Sequence, residues 1–348
     1  MAVAGVLTRP SLASLLKSRG NFSLSISERA SISYRPQARN PSGASIARAA
    51  ASSTELNISS PKTQKREEND KPKEKVELAC PVCYRPLAYS GSETPNLLTV
   101  KKSKLRCSNC QKSYDSDGGI IDLTLPNEGF IPQGTSFFQN PLVAFIYERG
   151  YRDVFAIYNF PGFNEEANMA QERLEPARGE TIIDLSCGPG GFTRRFLVGG
   201  EYKTVIAADY SLAMLEQCGG FLEDDPSADL SKVVLVRADA ARLPFETGSV
   251  AGVHAAAAIH CWPNVLSSVA EISRVLRPGG VFVASTFLLP AVGPFNVKSV
   301  RKAVDQLQLS VSWFTEDDLR TTTEACGLVN WYSYKRGIYI LFSASKPI

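Results

Sequence analysis

The segment Thr181-Ile-Ile-Asp-Leu-Ser-Cys-Gly-Pro-Gly-Gly191 limits what this chain can fold into more than any other. A short apolar run of strand length passes Asp184, gives way to glycines at 188, 190 and 191, and continues as Phe192-Thr-Arg-Arg-Phe, the start of a helix. Glycine lets the main chain turn sharply and lets a ligand approach it with no Cβ in the way. A strand, a glycine turn and a helix open a doubly wound parallel sheet. Several nucleotide-binding classes share such a loop, so the elements that follow decide between them.

Those elements alternate in a set order. Thr204-Val-Ile-Ala-Ala-Asp209 reads as a second strand ending in an acid, 25 positions after Asp184, where a carboxylate accepts hydrogen bonds from both hydroxyls of a ribose. Ser211 is placed to cap a helix carrying Met214 and Leu215. Val233-Val-Leu-Val-Arg is a third strand, followed by Ala238-Asp239-Ala240, by Arg242 to Val250, and by an alanine-rich fourth strand. A helix over Val265 to Leu276 leads through Arg277-Pro-Gly-Gly280 into a fifth strand, Val281-Phe-Val-Ala-Ser. Thr315 and Asp318 have the spacing of a capping box, and Leu328 to Tyr334 with Ile338 to Ala344 read as a last strand pair.

In this order the residues resemble the S-adenosylmethionine-dependent methyltransferases of the Rossmann-like class. Asp184 to Gly191 is similar to the family's first motif, Ala207 to Ser211 to its second, Arg237 to Val250 to its third, and Glu271 to Phe287 to its strand-five signature. The resemblance covers residues 135–348 and implies an α/β fold with a seven-stranded mixed sheet whose final two strands form an antiparallel hairpin. It implies S-adenosylmethionine as cofactor, with Gly188 and Gly190 facing its amino-acid part, Ser186 and Cys187 in the same loop, and Asp184 organising that loop. It also implies Asp209 on the ribose hydroxyls, Tyr210 and Met214 flanking the adenine, and Asp239 with Ala240 at the adenine edge. Ser186 departs from the family pattern, which more often has glycine there.

Two segments precede this domain. Residues 1–50 hold seven basic side chains, one acid and ten serines, spread without one apolar core, which is the composition of an organellar transit peptide and not of a secretory signal. Serine richness and the Met-Ala start favour a plastid, with residues 1–53 as the leader and residues 54–77, a mixed-charge run poor in apolar residues, as a linker. Without the leader the net charge of +3 becomes negative, so bulk charge does not point to nucleic acid. Over residues 78–126, Cys80-Pro-Val-Cys83 and Cys107-Ser-Asn-Cys110, 23 residues apart, match a four-thiolate zinc ribbon. A redox dithiol is disfavoured because neither pair opens a helical pattern. With four thiolates the ion has no open position, so it is read as structural, and loss of Cys80 is expected to unsettle the ribbon while largely sparing the cofactor site.

Leader, knuckles and domain together resemble a group of plant chloroplast methyltransferases, and the domain is similar to those that modify small molecules such as prenylquinones and sterols. The expected partner is a small apolar or aromatic methyl acceptor. The chain has two histidines, of which His254 falls inside the fourth strand and His260 just past its end, where substrate meets cofactor in this fold. His260 is therefore the candidate catalytic base, or a pocket wall without proton transfer. The aromatics between Phe137 and Met169 and the stretch Phe287 to Phe295 are read as cover and wall of an apolar pocket, although most of these aromatics are expected simply to pack helices on the sheet. No apolar run reaches the ~18 residues of a membrane span, while peripheral contact with plastid lipid bodies or thylakoids is compatible with the 287–295 stretch. Two other functions stay open. One is a ribosomal-RNA methyltransferase with phosphate contacts from Lys101, Lys102, Lys104 and Arg106, though the knuckles of such enzymes have shorter spacing and a histidine ligand. The other is a non-catalytic scaffold that keeps the cofactor fold.

Overall fold

The alternation read from residues 181 to 287 is present strand for strand. The computed structural model describes residues 78–89, 95–100, 103–125, 140, 159–289 and 312–348. The leader, the linker, Lys101, Lys102, the aromatics from Phe137 to Tyr158 and the segment from Pro290 to Phe295 lie outside the described residues. Five strands run parallel, β5 (Thr181–Leu185), β6 (Thr204–Asp209), β7 (Val233–Arg237), β8 (Val250–Ala255) and β9 (Leu276–Phe287). Among them lie α1 (Phe163–Arg173), α2 (Gly191–Val198), α3 (Leu212–Glu223), α4 (Val265–Val275) and α5 (Glu316–Ala325). The last pair, β10 (Val329–Arg336) and β11 (Tyr339–Ser345), is an antiparallel hairpin, and β11 also lies antiparallel to β9.

The expected seven-stranded mixed sheet is the run β7-β6-β5-β8-β9-β11-β10. The sheet does not stop there. The cysteine-bearing segment forms β1 (Leu87–Tyr89), β2 (Lys104–Cys107), β3 (Ser113–Asp117) and β4 (Ile120–Asp122), paired antiparallel in sequence order. Strand β4 then pairs in parallel with β7, Ile120 opposite Leu235 and Asp122 opposite Arg237, which makes a sheet of eleven strands among the described residues. The ribbon therefore precedes the domain in sequence and continues its sheet in space. An unpaired β7 would present a row of free N–H and C=O groups, and β4 supplies their partners. Main-chain bonds outside the strands extend the seam, with Leu97 N–H donating to Val233 O (2.8 Å) and Leu123 N–H to Arg237 O (3.0 Å). At the turn between β3 and β4, Gly118 and Gly119 both have positive φ, as a two-residue hairpin of matching twist requires.

Burial explains why β5 to β8 are apolar at consecutive positions and do not alternate, since both faces of the sheet are covered. On one face Ile182, Val205, Ala207 and Leu235 pack with Ala167 and Ala170 of α1, Phe196 of α2 and Leu215 of α3. On the other, Ile183, Ile206 and Val234 join Val269 and Ile272 of α4 and, without a break, Leu78, Leu87, Leu105 and Ile121 of the ribbon. Ribbon and domain share one core.

Two boundaries differ from the sequence reading. Helix α4 ends at Val275, and β9 begins at Leu276, five residues before the expected fifth strand. Leu276 pairs with Val250 and Val281 with Gly252, so the residues between, with Pro278 unable to donate and Gly279 at φ +74°, fill an irregularity in the ladder. The alanine-rich stretch leaves β8 after Ala255, and Ala257 adopts φ +49° as the chain turns toward His260. The capping box at Thr315 is formed as read, with hydrogen bonds in both directions between Thr315 and Asp318. Because Ile121 is fully buried at the seam, Ile121→Ala is expected to cost ~2–5 kcal/mol for the whole sheet. Urea denaturation followed by far-UV circular dichroism checks this, and a loss confined to the ribbon would contradict a shared core.

Candidate active site

The carboxyl ends of β5, β6 and β7 are held level by their own main chain. Cys187 N–H donates to Ala208 O (3.1 Å) and Ala238 N–H to Asp209 O (3.0 Å). The Asp209 side chain adds the main tie, accepting the N–H of Gly188 at 2.9 Å and of Ser211 at 2.8 Å. Thus the acid that ends β6 organises the glycine loop. Burial pushes its carboxyl up to about 6, with the nearby Asp184 charge acting the same way, against the main-chain N–H groups of Ser211, Gly188 and Tyr210 that lower it.

The two loop glycines have different reasons to be glycine. Gly188 has φ +55°, and a Cβ there would meet nothing within 4 Å, so bare main chain faces open space where a ligand can lie against it. Gly190 has φ +85°, and a Cβ would sit 2.4 Å from Cys218 Sγ, so close packing on α3 excludes any side chain. Ser186, the departure from the family pattern, also has positive φ (+57°), and its hydroxyl accepts a hydrogen bond from Trp262 Nε1 at 3.0 Å. That bond fixes a buried indole beside the loop, which a glycine could not do.

Asp184 lies beneath the loop, buried, and accepts the Thr193 hydroxyl of α2 at 2.6 Å while His254 Nδ1 of β8 lies 2.9 Å away. The His254 ring packs on Phe192 and Phe196. A buried carboxylate with these partners joins β5, α2 and β8, and His254 belongs to that structural link. Tyr210 follows Asp209, half-buried, with its carbonyl accepting Arg237 Nε at 3.0 Å and its ring under the guanidinium at 5.7 Å. Met214 is buried in the first turn of α3, its N–H bonded to the Ser211 hydroxyl. Asp239 and Ala240 are half-buried after β7, and Asp239 folds its own turn by accepting the Ala241 N–H at 2.9 Å. Glycine loop, Asp209, Tyr210 and the Asp239 turn all belong to the carboxyl ends of adjacent strands.

His260 lies past β8 in the 3-10 turn Ile259–Cys261. Its Nδ1 is 3.1 Å from the Thr286 hydroxyl, and its ring meets Phe287 edge to face at 4.9 Å. Burial holds its pKa down at about 4, so the imidazole is uncharged at neutral pH. Phe287 in turn packs against Phe160 at 4.4 Å and Trp313 at 6.5 Å. Of the aromatics read as pocket cover, Phe160 is buried on Phe287 and Tyr339, and Phe163 packs on Phe192.

The four cysteines converge, with their sulfurs all within 4.8 Å of one another. Both knuckles fold alike. Tyr84 N–H donates to Cys80 O and Gln111 N–H to Cys107 O, and Tyr84 and Gln111 both take positive φ. Cys80 Sγ lies 3.5 Å from Cys110 Sγ and Cys83 Sγ 3.4 Å from Cys107 Sγ, close to the ~3.8 Å separation set by four sulfurs at ~2.3 Å from one tetrahedral ion. The cluster fits a metal ion.

A parallel sheet with a glycine loop and an acid after its first two strands, closed by an antiparallel hairpin, defines a class I S-adenosylmethionine-dependent methyltransferase. A methyltransferase domain model matches residues 183–284. A chloroplastic methyltransferase of Arabidopsis thaliana is 42% identical over 290 residues, 80% of this chain and 82% of that one, and a second from the same plant is 44% identical over 79% of this chain and 80% of its own. The demethylmenaquinone methyltransferase of Corynebacterium kroppenstedtii is 26% identical over 51% of this chain and 81% of its own. In fold, the chain is similar to Haemonchus contortus phosphoethanolamine N-methyltransferase 2 in complex with S-adenosyl-L-methionine, with TM-score 0.50 and 17% identity over 64% of this chain and 62% of that one. The chain belongs to the S-adenosylmethionine-dependent methyltransferase family.

Sequence reasoning missed Trp262, Thr286, Arg237 and Arg242, all of which hold site residues in place. It also missed Glu166 of α1, fully buried and accepting the Ser285 hydroxyl at 2.6 Å. A Trp-Pro pair and arginines after a strand carry no periodic signal, so none was available. Asp209 gains a proton as pH drops through about 6, and if its carboxylate is the ribose acceptor that the resemblance implies, cofactor affinity is expected to fall with it. Calorimetric titration between pH 5 and 8 checks this, and Asp209→Asn is expected to weaken binding and flatten the dependence.

Proposed function

We propose that this chain methylates a small apolar or aromatic acceptor inside the plastid, using S-adenosylmethionine at the glycine loop and a structural zinc ion in the four-thiol cluster. The observation that carries the acceptor class is the surround of His260, an uncharged imidazole set against Phe287, with Phe160 and Trp313 on the same phenylalanine. Charged acceptors find little solvation in such a place, whereas a ring with one polar handle suits it. The chloroplastic names of the two Arabidopsis relatives support the compartment, and the demethylmenaquinone name supports a quinone-like acceptor. No described helix is long and apolar enough to cross a membrane.

The site residues then divide as follows. The main chain at Gly188 and Gly190 takes the amino-acid part of the cofactor, with Ser186 and Cys187 completing the loop over Asp184. Asp209 takes the ribose, Tyr210 and Met214 flank the adenine, and Asp239 with Ala240 meets its edge. The bound cofactor supplies a methyl group for in-line transfer, for which the protein chiefly provides alignment. His260 holds the acceptor through a hydrogen bond as a neutral imidazole, oriented by Thr286. Cys80, Cys83, Cys107 and Cys110 hold the zinc with all positions filled, so the ion takes no part in the transfer. Residues 1–53 serve as the transit peptide, 54–77 as linker, 78–126 as ribbon and 135–348 as the methyltransferase domain.

Calorimetric titration of the full chain with S-adenosylmethionine and S-adenosylhomocysteine, with a nicotinamide dinucleotide as control, tests the cofactor site. Binding of the first two alone is expected, and no binding by folded, metal-loaded protein would turn the reading toward a scaffold. Metal analysis is expected to find zinc in the chain and its loss in Cys83→Ser. An acceptor screen then compares plastid quinones and phenolics with ribosomal RNA, and methylation of RNA alone would overturn the acceptor class. His260→Phe is expected to lower kcat/KM for the acceptor ~10-fold or more, and with the cofactor saturating at every pH, so that Asp209 does not enter, the rate is expected to show no inflection near 6.5, the ordinary histidine value, because His260 gains a proton only near pH 4.

A further inference from the structure

Beyond the β4–β7 seam and the shared core, arginines of the domain reach the ribbon, and two of them, Arg242 and Arg237, each also hold a segment assigned to the adenosine side of the cofactor site. Arg242 stands at the end of the Asp239 turn, where its own N–H donates to Asp239 O at 2.9 Å. Its guanidinium reaches into the first knuckle, with Nη2 donating to Val82 O at 3.0 Å and Nε donating to Pro81 O. Pro81 and Val82 are the two residues between Cys80 and Cys83, so these carbonyls are oriented only while that knuckle is folded. Tyr84 closes the same knuckle and lies under both Arg242 and Arg274, and Arg274 donates to Leu243 O and Phe245 O. Ala79 N–H adds a main-chain bond to Pro244 O at 2.8 Å. The loop from Asp239 to Phe245 is thus gripped between α4 and the knuckle.

The second link is Arg237 at the end of β7. Its Nη1 pairs with Asp122 of β4 at 2.9 Å, while its Nε donates to Tyr210 O. Asp122 is itself oriented by accepting the Thr124 N–H and hydroxyl. One guanidinium therefore spans ribbon and adenine-flanking residue.

We infer that Arg242 and Arg237 are positioning residues that make binding of the adenosine half of the cofactor depend on the folded four-cysteine knuckle. This replaces the sequence expectation that loss of the ribbon spares the cofactor site, and it rests on the proposed readings of that cluster as a zinc site and of the Tyr210 and Asp239 segments as the adenosine side. The physical reason is order. A loop such as Asp239 to Phe245, freed on one side, samples more conformations, and the ligand must then select the competent one from a smaller population.

The test uses the full chain, with zinc content and circular dichroism recorded for every sample, and with S-adenosylhomocysteine and 5′-methylthioadenosine as probes. Arg242→Met keeps the apolar stem and removes the donors. It is expected to retain zinc and fold while affinity for both probes falls ~10-fold. Asp122→Asn, a variant outside loop and knuckle, is expected to lower both affinities ~3-fold. Removing zinc from the wild type with a chelator is expected to lower affinity at least as far as Arg242→Met does, and to lower that of Arg242→Met much less, because the link it would break is already gone. Unchanged affinity in folded, zinc-loaded Arg242→Met and Asp122→Asn overturns this inference while leaving the proposed function intact. A wild type that binds neither probe overturns the cofactor reading and the inference together, and a wild type that binds both without ever holding zinc overturns the metal reading and the dependence on it.

Discussion

Strand β7 would be an edge of the sheet but for β4. As the outermost parallel strand of the seven-stranded run it would leave one row of main-chain donors and acceptors without partners, and β4 satisfies them in register from Ile120 to Asp122. The place of the ribbon on the domain follows from that pairing. It brings the cysteine knuckles to the side of the domain where β7 and β6 end, places Asp122 opposite Arg237, and merges the apolar face of the ribbon with the layer under α4. A small ribbon of four short strands has little core of its own, and here it gains one by sharing.

The site is similarly economical in its parts. Asp209 ties the glycine loop to the end of β6, and Asp184 ties β5 to α2 and β8. Trp262 is held by the one residue that breaks the glycine pattern of the loop. Most of these bonds tie one element to another, so the ends of β5, β6 and β8 are cross-linked by side chains as well as by the sheet. The surround of His260 is built differently, from aromatic rings packed around a neutral imidazole.

Much of the fold was legible because periodicity and chain order carry it. The strands at 181, 204, 233 and 250, the cap at Ser211, the capping box at Thr315 and the final hairpin were read at or within a few residues of their places, each from a local pattern with a local cause. The start of β9 was misread because Pro278 and the following glycines look like a loop, yet the ladder absorbs them as an irregularity beside Val250. The four-cysteine cluster was legible because two knuckles of equal spacing fold by the same turn wherever they are placed.

By itself the sequence determined the alternating α/β order, the glycine loop with its two acids and the pair of knuckles, since these depend on residues close together in the chain. Only the tertiary structure decided that the ribbon extends the sheet, that Gly190 answers to Cys218 while Gly188 faces open space, and that Ser186 holds Trp262. It also decided that Arg242 joins the first knuckle to the Asp239 turn and that Arg237 joins β4 to Tyr210. The reason is range: a parallel strand pair between residues 120 and 235, or a guanidinium reaching a carbonyl some 160 positions earlier, leaves no periodic trace in either segment and exists only once the chain is folded.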